Sequence, residues 1–287
     1  MDYTELIERR KSIREFSSKE VSSEQKQELA EFFAEAKRLD PGIEMEIMFF
    51  DGDTKNRLEG VAGYRGHAFM APAYLVLLSE NKPHYMENSG FVGENLCLKL
   101  TDMGLEHCWL TVDDAAVTKK TLLIHSDKEV STILAFGHGK RELKLKRLDI
   151  FSPADVRFSE REGHVAPKIA QSELVYNKTW GTPMDWSENA VDPDLDQAFY
   201  AASLAPSFLN RQPYRFINRE KDILLLAKKE DMTTEDDTYL DIGAVMFNFY
   251  SVFTEDYHGD GSWHLGQPED ISELGAPEEY EVVGYYI

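Results

Sequence analysis

The chain has 287 residues, is 42% hydrophobic, and carries 52 acidic against 31 basic side chains for a net charge of −21. That balance argues against nucleic acid and anionic membranes as partners. No run reaches the roughly 18 apolar residues that a membrane span requires.

The length allows one large domain or two of ordinary size. The acidity is uneven, because residues 1–150 hold 21 basic and 26 acidic side chains whereas residues 151–287 hold 10 and 26. The N-terminus, MDYTELIERR, has acids where a secretory leader would be basic and then apolar, so a cytoplasmic setting is expected. Cys97 and Cys108 lie in apolar runs and read as buried thiols of a reducing compartment.

In chain order, the first distinctive stretch is RRKSIREF at residues 9–16, with four cations in six residues inside an acidic chain. A solvated basic turn is one reading. A local anion site is the other and the favoured one, since a phosphate needs concentrated donors whatever the global charge. Ser22 and Gln25 form a capping-box pattern, followed at helical spacing by Leu29, Phe32, Phe33, Ala36 and Leu39, with Asp40-Pro41-Gly42 as the stop. Residues 43–50 alternate as a strand. Asp51-Gly52-Asp53 hints at a calcium loop, but Asn56 and Ala62 stand where Gly and Glu are needed. A glycine-spaced loop from Gly60 to His67 then leads into the apolar strand Ala73–Leu78. Asn88–Met103 reads as a helix ended by Gly104, and Leu105–Val112 and Ser131–Phe136 as strands. A basic tail follows Gly137, ending at Lys144, Lys146 and Arg147.

Residues 151–190 are mixed in composition and predict an irregular connection. After it the pattern restarts: Asp192-Pro193 caps a helix to Leu204. Strand-like runs come at 214–217 and 223–227, an amphipathic helix opens at Asp241, and a last strand occupies 281–287. Between the helix and the first of these strands lies APSFLNRQPYRF, residues 205–216. Pro206 and Pro213 bar regular structure, and Ser207, Asn210 and Gln212 offer planar polar groups suited to a flat heterocycle. An ordinary proline-bounded loop is the alternative.

Together, RRKSIREF and APSFLNRQPYRF resemble the two flavin-contacting motifs of the nitroreductase family, FMN-dependent NAD(P)H oxidoreductases of α+β fold. The resemblance implies that Arg10, Lys11 and Ser12 hold the FMN phosphate and that Arg14 lies near the flavin ring. It implies that Pro206, Ser207, Phe208 and Asn210 line the ring, with Gln212 nearby. The loop before strand 73–78 offers Arg65 and His67 where relatives often carry Asn and Lys. Arg147 is the candidate for the phosphate-reaching cation after the last strand of the first half, although a solvated arginine fits as well.

The spacing of the two motifs departs from the family. Gly90 and Asn95 are echoed by Gly243 and Asn248, and Trp109 and Trp263 lie 14 and 15 residues beyond those asparagines. This predicts an internal duplication with an offset of about 150 residues, too long for a solenoid repeat. The units are 1–150 with the cationic clamp, an irregular connection at 151–190, and 191–287 with the polar loop. In place of a second clamp the chain has Leu174-Val175-Tyr176-Asn177-Lys178-Thr179-Trp180. Family members are homodimers whose sites combine one motif from each subunit. The chain therefore resembles such a dimer condensed into one polypeptide, with two pseudo-symmetric copies each built on a mixed, mostly antiparallel sheet. One FMN per monomer is implied, with NADH or NADPH as co-substrate and a nitroaromatic, quinone or similar small flat acceptor. A reductive dehalogenase or flavin-fragmenting enzyme on the same fold is an alternative, as is a non-catalytic flavin storage or sensor protein. No metal site is expected: the eight histidines lack ligand spacing, His258 and His264 among acids included, and no nucleophile or P-loop motif is present.

Overall fold

The computed structural model describes residues 1–63, 66–140, 145–152, 155–161, 166–187, 190–229, 234–271 and 274–287, with backbone alone at 145–152 and 155–161. The chain begins with α1 (Tyr3–Arg9), then α2 (Ser23–Glu35), β1 (Met45–Asp51), α3 (Thr54–Leu58) and β2 (Ala73–Ser79). The first half continues with α4 (Tyr85–Asp102), β3 (Glu106–Leu110), α5 (Ala115–Leu122) and β4 (Glu129–Gly137). The capping box forms as its residues dictate: Gln25 N–H donates to Ser22 Oγ at 3.2 Å and Ser22 N–H to Gln25 Oε1 at 3.0 Å. β2, with every residue buried, and β4 are the central strands of an antiparallel sheet of order β1-β2-β4-β3. Strands covered on both faces read as continuous apolar runs, which is why YLVLL and TILAF stand out in the sequence.

The connection carries more structure than its composition suggested. β5 (Leu145–Ser152) and β6 (Asp155–Arg161) pair as an antiparallel hairpin, followed by α6 (Gln171–Leu174) and β7 (Val175–Asn177). β7 runs parallel to β8 (Tyr214–Asn218), so the second sheet begins at 175 and not after 190. Leu174 and Val175 are fully buried, and it is this burial that orders a segment otherwise rich in charge. The remaining elements are α7 (Pro193–Ser203), β9 (Ile223–Lys228), α8 (Glu235–Tyr250), β10 (Trp263–Leu265) and β11 (Tyr280–Tyr286). They form a sheet of order β10-β11-β9-β8-β7.

Without β7, the second sheet repeats the first: β8-β9-β11-β10 matches β1-β2-β4-β3, strand for strand and antiparallel throughout. The molecule is thus two pseudo-symmetric α+β copies. Their long helices, α4 and α8, cross at Gly90 and Gly243, 153 residues apart. A Cβ on Gly90 would stand 2.1 Å from the Leu240 carbonyl oxygen, and one on Gly243 would stand 2.0 Å from that of Glu87. Only glycine lets the two backbones approach so closely. The tryptophans repeat too. The Trp109 ring packs over Gly93, and Trp263 Nε1 donates to the carbonyl of Met246, the same position 153 residues on.

The N-terminal helix crosses between the copies. Leu6 and Ile7 of α1 bury in the core cluster of the second copy, the one that holds Phe199 and Phe216. Tyr3 sets its ring edge-on to Phe247 at 5.6 Å, and the Tyr3 and Thr4 N–H groups donate to the Asp256 carboxylate at 3.1 and 2.7 Å. The residue after α1, Arg10, is therefore delivered to the junction of the two copies.

Candidate active site

Beyond α1 the chain runs extended along the free edge of β3. Ser12 bridges His107 in parallel register, Ile13 N–H donates to the His107 carbonyl at 2.9 Å, and Phe16 bridges Gly139. Extended backbone turns alternate side chains to opposite sides. Ile13, between them, is buried, whereas Arg10, Ser12 and Arg14, at a spacing of two, all line one cleft of about 780 Å³, as does the exposed Lys11 before the bridged residues. The spacing of the clamp is thus the period of an edge strand. Arg10 Nη1 lies 3.5 Å from Ser12 Oγ, and the Arg14 guanidinium sits 5.6 Å over the Phe69 ring.

The opposite wall is the proline-bounded loop. Pro206, Ser207, Phe208, Leu209 and Asn210 line the same cleft, with Asp237, Leu240, Asp241 and Ala244 of α8 beside them. Leu209, Asn210 and Gln212 hold φ of 51°, 57° and 51°, a left-handed conformation that non-glycine residues adopt only when their surroundings compel it. The bonds that compel it are present. Asp241 accepts from Phe208 N–H at 2.9 and 3.1 Å, and Ser207 Oγ accepts from Gln212 N–H at 2.9 Å. The Gln212 side chain, 8% exposed, accepts from Ile169 N–H at 2.8 Å and donates to the Asn210 carbonyl at 3.2 Å. Asn210 Nδ2 donates to the Pro167 carbonyl at 2.7 Å. The two amides expected to face a heterocycle thus hold the segment 167–169. Asn210 still lines the cleft and Gln212 does not.

His67 lines the cleft, mostly exposed, with Nδ1 3.2 Å from Glu59 Oε1. Arg65 lies outside the described residues. Arg147 is described by its backbone in β5, and its side chain lies outside them. The stretch 174–180 is not the counterpart of the clamp. It pairs with β8, at the far edge of its sheet from β10, whereas Ser12 bridges β3, the strand that β10 repeats.

Lys168, Asp241 and Glu94, ionisable groups at the site, were not singled out by sequence. Lys168 lines the cleft and donates to the Ala205 carbonyl at 2.6 Å; burial, and then Arg10, push its ammonium down to about 8. Burial holds the Asp241 carboxyl well above the usual range. Behind Arg10 stands Glu94 of α4, fully buried, with Oε1 3.4 Å from Arg10 Nε. Asp241 and Glu94 have signals in the duplication, since 153 residues relate Asp241 to Asn88 and Glu94 to Phe247. Lys168 has only the weak signal of a lone cation after proline. His107, buried beside the clamp, is pushed down to about 3 by burial and then by Arg10, so its ring is neutral.

Among the described residues no group of three or more His, Cys, Asp or Glu side chains is placed to hold a metal ion, and no helix is long and apolar enough to cross a membrane. What the site offers is a cationic strand edge facing a rigid polar loop across a cleft between two copies of one α+β unit. The chain belongs to the nitroreductase family: the family model described as "Putative TM nitroreductase" matches residues 2–252. Among solved structures it is similar to a "putative nitroreductase" of Thermotoga maritima, with a TM-score of 0.61 and 16% identity over 100% of this chain and 94% of that one. That likeness shows the nitroreductase fold. An FMN-dependent nitroreductase of Clostridium difficile R20291 matches 48% of this chain with 87% of its own, at 19% identity and a TM-score of 0.41. No curated protein sequence matches the chain.

Proposed function

We propose that the protein is an FMN-dependent oxidoreductase that takes hydride from NADH or NADPH and passes electrons to a flat small molecule such as a nitroaromatic or quinone. One observation carries this reading. Residues almost 200 apart in sequence, Arg10, Lys11, Ser12 and Arg14 on one side and Pro206–Asn210 on the other, line one cleft of about 780 Å³. The residues present fit the cofactor, because concentrated cations on an open strand edge suit a phosphate and a rigid, partly apolar wall suits a ring. Arg10 and Ser12, with Lys11 alongside, would hold the phosphate. The Arg14 guanidinium would favour negative charge on the reduced ring. Phe208, Leu209 and Asn210 would fix the ring plane and limit water. When bound, FMN supplies the hydride and electron transfer itself.

The duplication bears on stoichiometry. One junction has the clamp and the polar loop. At the other, the turn after α2 directs the Arg38 guanidinium back onto the Phe33 and Ala36 carbonyls at 2.9 and 2.8 Å, leaving little for a phosphate. We therefore expect one FMN per chain in a monomer, the fused copies standing in for the two subunits of a dimer. Purified protein with an oxidised-flavin spectrum, one flavin released per chain on denaturation, and NAD(P)H oxidation dependent on a nitroaromatic or quinone would support the proposal. Protein that neither carries flavin nor quenches its fluorescence on titration would overturn it. Flavin reduction without turnover would favour storage or sensing.

A further inference from the structure

Glu94 is the one described carboxylate whose ion-pair partner is a clamp arginine reaching in from the cleft. It sits on the helix that makes the junction, between Gly93 and Asn95, with no exposed surface. Neither carboxylate oxygen has a hydrogen-bond partner, and Arg10 Nε, also without one, stands 3.4 Å away. A buried carboxylate without hydrogen bonds is expensive to keep ionised. In the other copy the same position is Phe247, packed edge-on to Phe91 at 4.9 Å. The fold thus accepts an apolar residue here, and the acid occurs only behind the clamp.

We infer that Glu94 is the positioning residue of Arg10, and that an anion captured by Arg10 from the cleft is compensated by a proton taken up on Glu94. The inference rests on the reading that Arg10 meets the phosphate of FMN. An empty clamp leaves the guanidinium to pair inward with an ionised Glu94. A phosphate on its outer side places a second anion against the same cation, in a poorly solvated setting. The carboxylate then takes a proton from the solvent, and Arg10 turns its charge to the ligand. Burial, opposed by Arg10 and then Lys168, sets the Glu94 carboxyl at about 7, so the exchange falls at neutral pH.

The other groups around Glu94 differ in what they can contribute. Burial pushes up the Cys97 thiol and the Tyr214 phenol, which stay protonated, and pushes down His107, which stays neutral. Lys168, held down to about 8, and Asp241, held up by burial, are the two competing proton acceptors. The phosphate, whose second ionisation lies at ~6, would release protons on binding, which is the opposite sign.

FMN titration of the full chain at pH 6.5 and 8, with calorimetry in two buffers of different ionisation enthalpy, tests the inference. Affinity should fall about tenfold between those pH values, and binding at pH 7.5 should take up a large fraction of one proton. Glu94→Gln, near-isosteric, should flatten the profile and abolish the uptake, while Lys168→Arg and Asp241→Asn should retain it. Uptake that survives in Glu94→Gln and vanishes in either other variant assigns the proton elsewhere and overturns the inference. So does wild-type binding without uptake, a result that needs no variant to fold. If no protein binds FMN at any pH, the functional proposal fails first and this inference with it.

Discussion

The two copies share a strand order and a helix crossing and differ at the few positions that would do chemistry. In each, a side chain on the junction helix receives an N–H from the turn after the preceding helix. Asn88 accepts from Asp40 at 3.0 Å, and Asp241 accepts from Phe208 at 2.9 Å. The same contact is neutral in one copy and ionisable in the other. Where one copy buries Phe247, the other buries Glu94. The leading helices diverge as well: α1 crosses to the partner copy's core, whereas α6 packs on α7 and β8 of its own. Architecture was duplicated, and the cation clamp, rigid loop and buried acid gather at a single junction. The comparison separates residues that hold the copies together from those that equip one junction.

The largest expected effect lies in the first group. Gly243→Ala puts a methyl 2.0 Å from the Glu87 carbonyl oxygen, against backbone that cannot rotate away. We expect a loss of about 3 kcal/mol or more by urea denaturation, overpacking outweighing the helix preference for alanine. Gly104→Ala, with φ of +70° and open space around it, should cost roughly 1–2 kcal/mol. Equal losses would mean that the glycine crossing is no tighter than ordinary helix packing.

Next comes the clamp. Arg10→Ala should weaken FMN binding about 10- to 100-fold, the value of one charge-assisted bond to a phosphate at roughly 1.5–3 kcal/mol. Lys221→Ala, an exposed cation of the second copy paired with Asp270 at 3.0 Å, should leave binding unchanged. Arg219 would be a poor control despite its charged surroundings, because its guanidinium grips Asp222 and donates to the Asp270 carbonyl at 2.8 Å. Fluorescence quenching of titrated flavin measures both. Matching affinities would reduce the clamp to a solvated basic turn.

His107 yields a pH prediction. Its imidazole is held down to about 3 in the native protein, against 6.5 when unfolded. Between those values the unfolded chain binds the extra proton, so stability rises with pH, and it is lost as pH falls from 6.5 toward 3. The slope should approach ~1.4 kcal/mol per pH unit. His107→Asn should flatten this part of the curve of urea midpoint against pH. An unchanged slope would transfer the acid sensitivity to other groups.

How much of this was legible depends on whether the cause was local. The capping box at Ser22, the proline-bounded loop and the two-residue beat of Arg10, Ser12 and Arg14 depend on near neighbours, and the sequence shows them directly. The sequence pattern starts α4 three residues late, at Asn88 rather than Tyr85, because His84 at φ of 67° opens the helix without a side-chain cap. The segment 171–177 reads as irregular because its three strand residues give no periodicity, and β8 supplies the pairing from 41 residues away. The partners of Glu94 and Lys168 come from distant parts of the chain, so no window of sequence contains their environment. The register between the copies did contain a clue, since aligning Gly90 with Gly243 sets Glu94 against Phe247.

The smallest effect provides the finest test of the difference between the copies. Ser207→Ala removes the hydroxyl that accepts Gln212 N–H, in a loop that holds three non-glycine residues at positive φ. The lost bond should cost about 1 kcal/mol of stability. The first copy has a comparable bond in its own turn, from Gly42 N–H to Asp40 Oδ1 at 2.7 Å, so Asp40→Ala should cost a similar amount. Their effects on flavin should diverge. Ser207 lines the cleft and fixes the loop that Asn210 and Phe208 belong to, so its loss should weaken FMN binding about fivefold. Asp40 is not among the residues lining the cleft, and its loss should leave affinity untouched. Urea midpoints and flavin titrations on the two variants give four numbers. Equal stability losses with unequal affinity losses would place the functional loop in the second copy alone. A matching loss of affinity in Asp40→Ala would mean that the turn of the first copy also supports flavin, and that the two junctions are less different than their residues suggest.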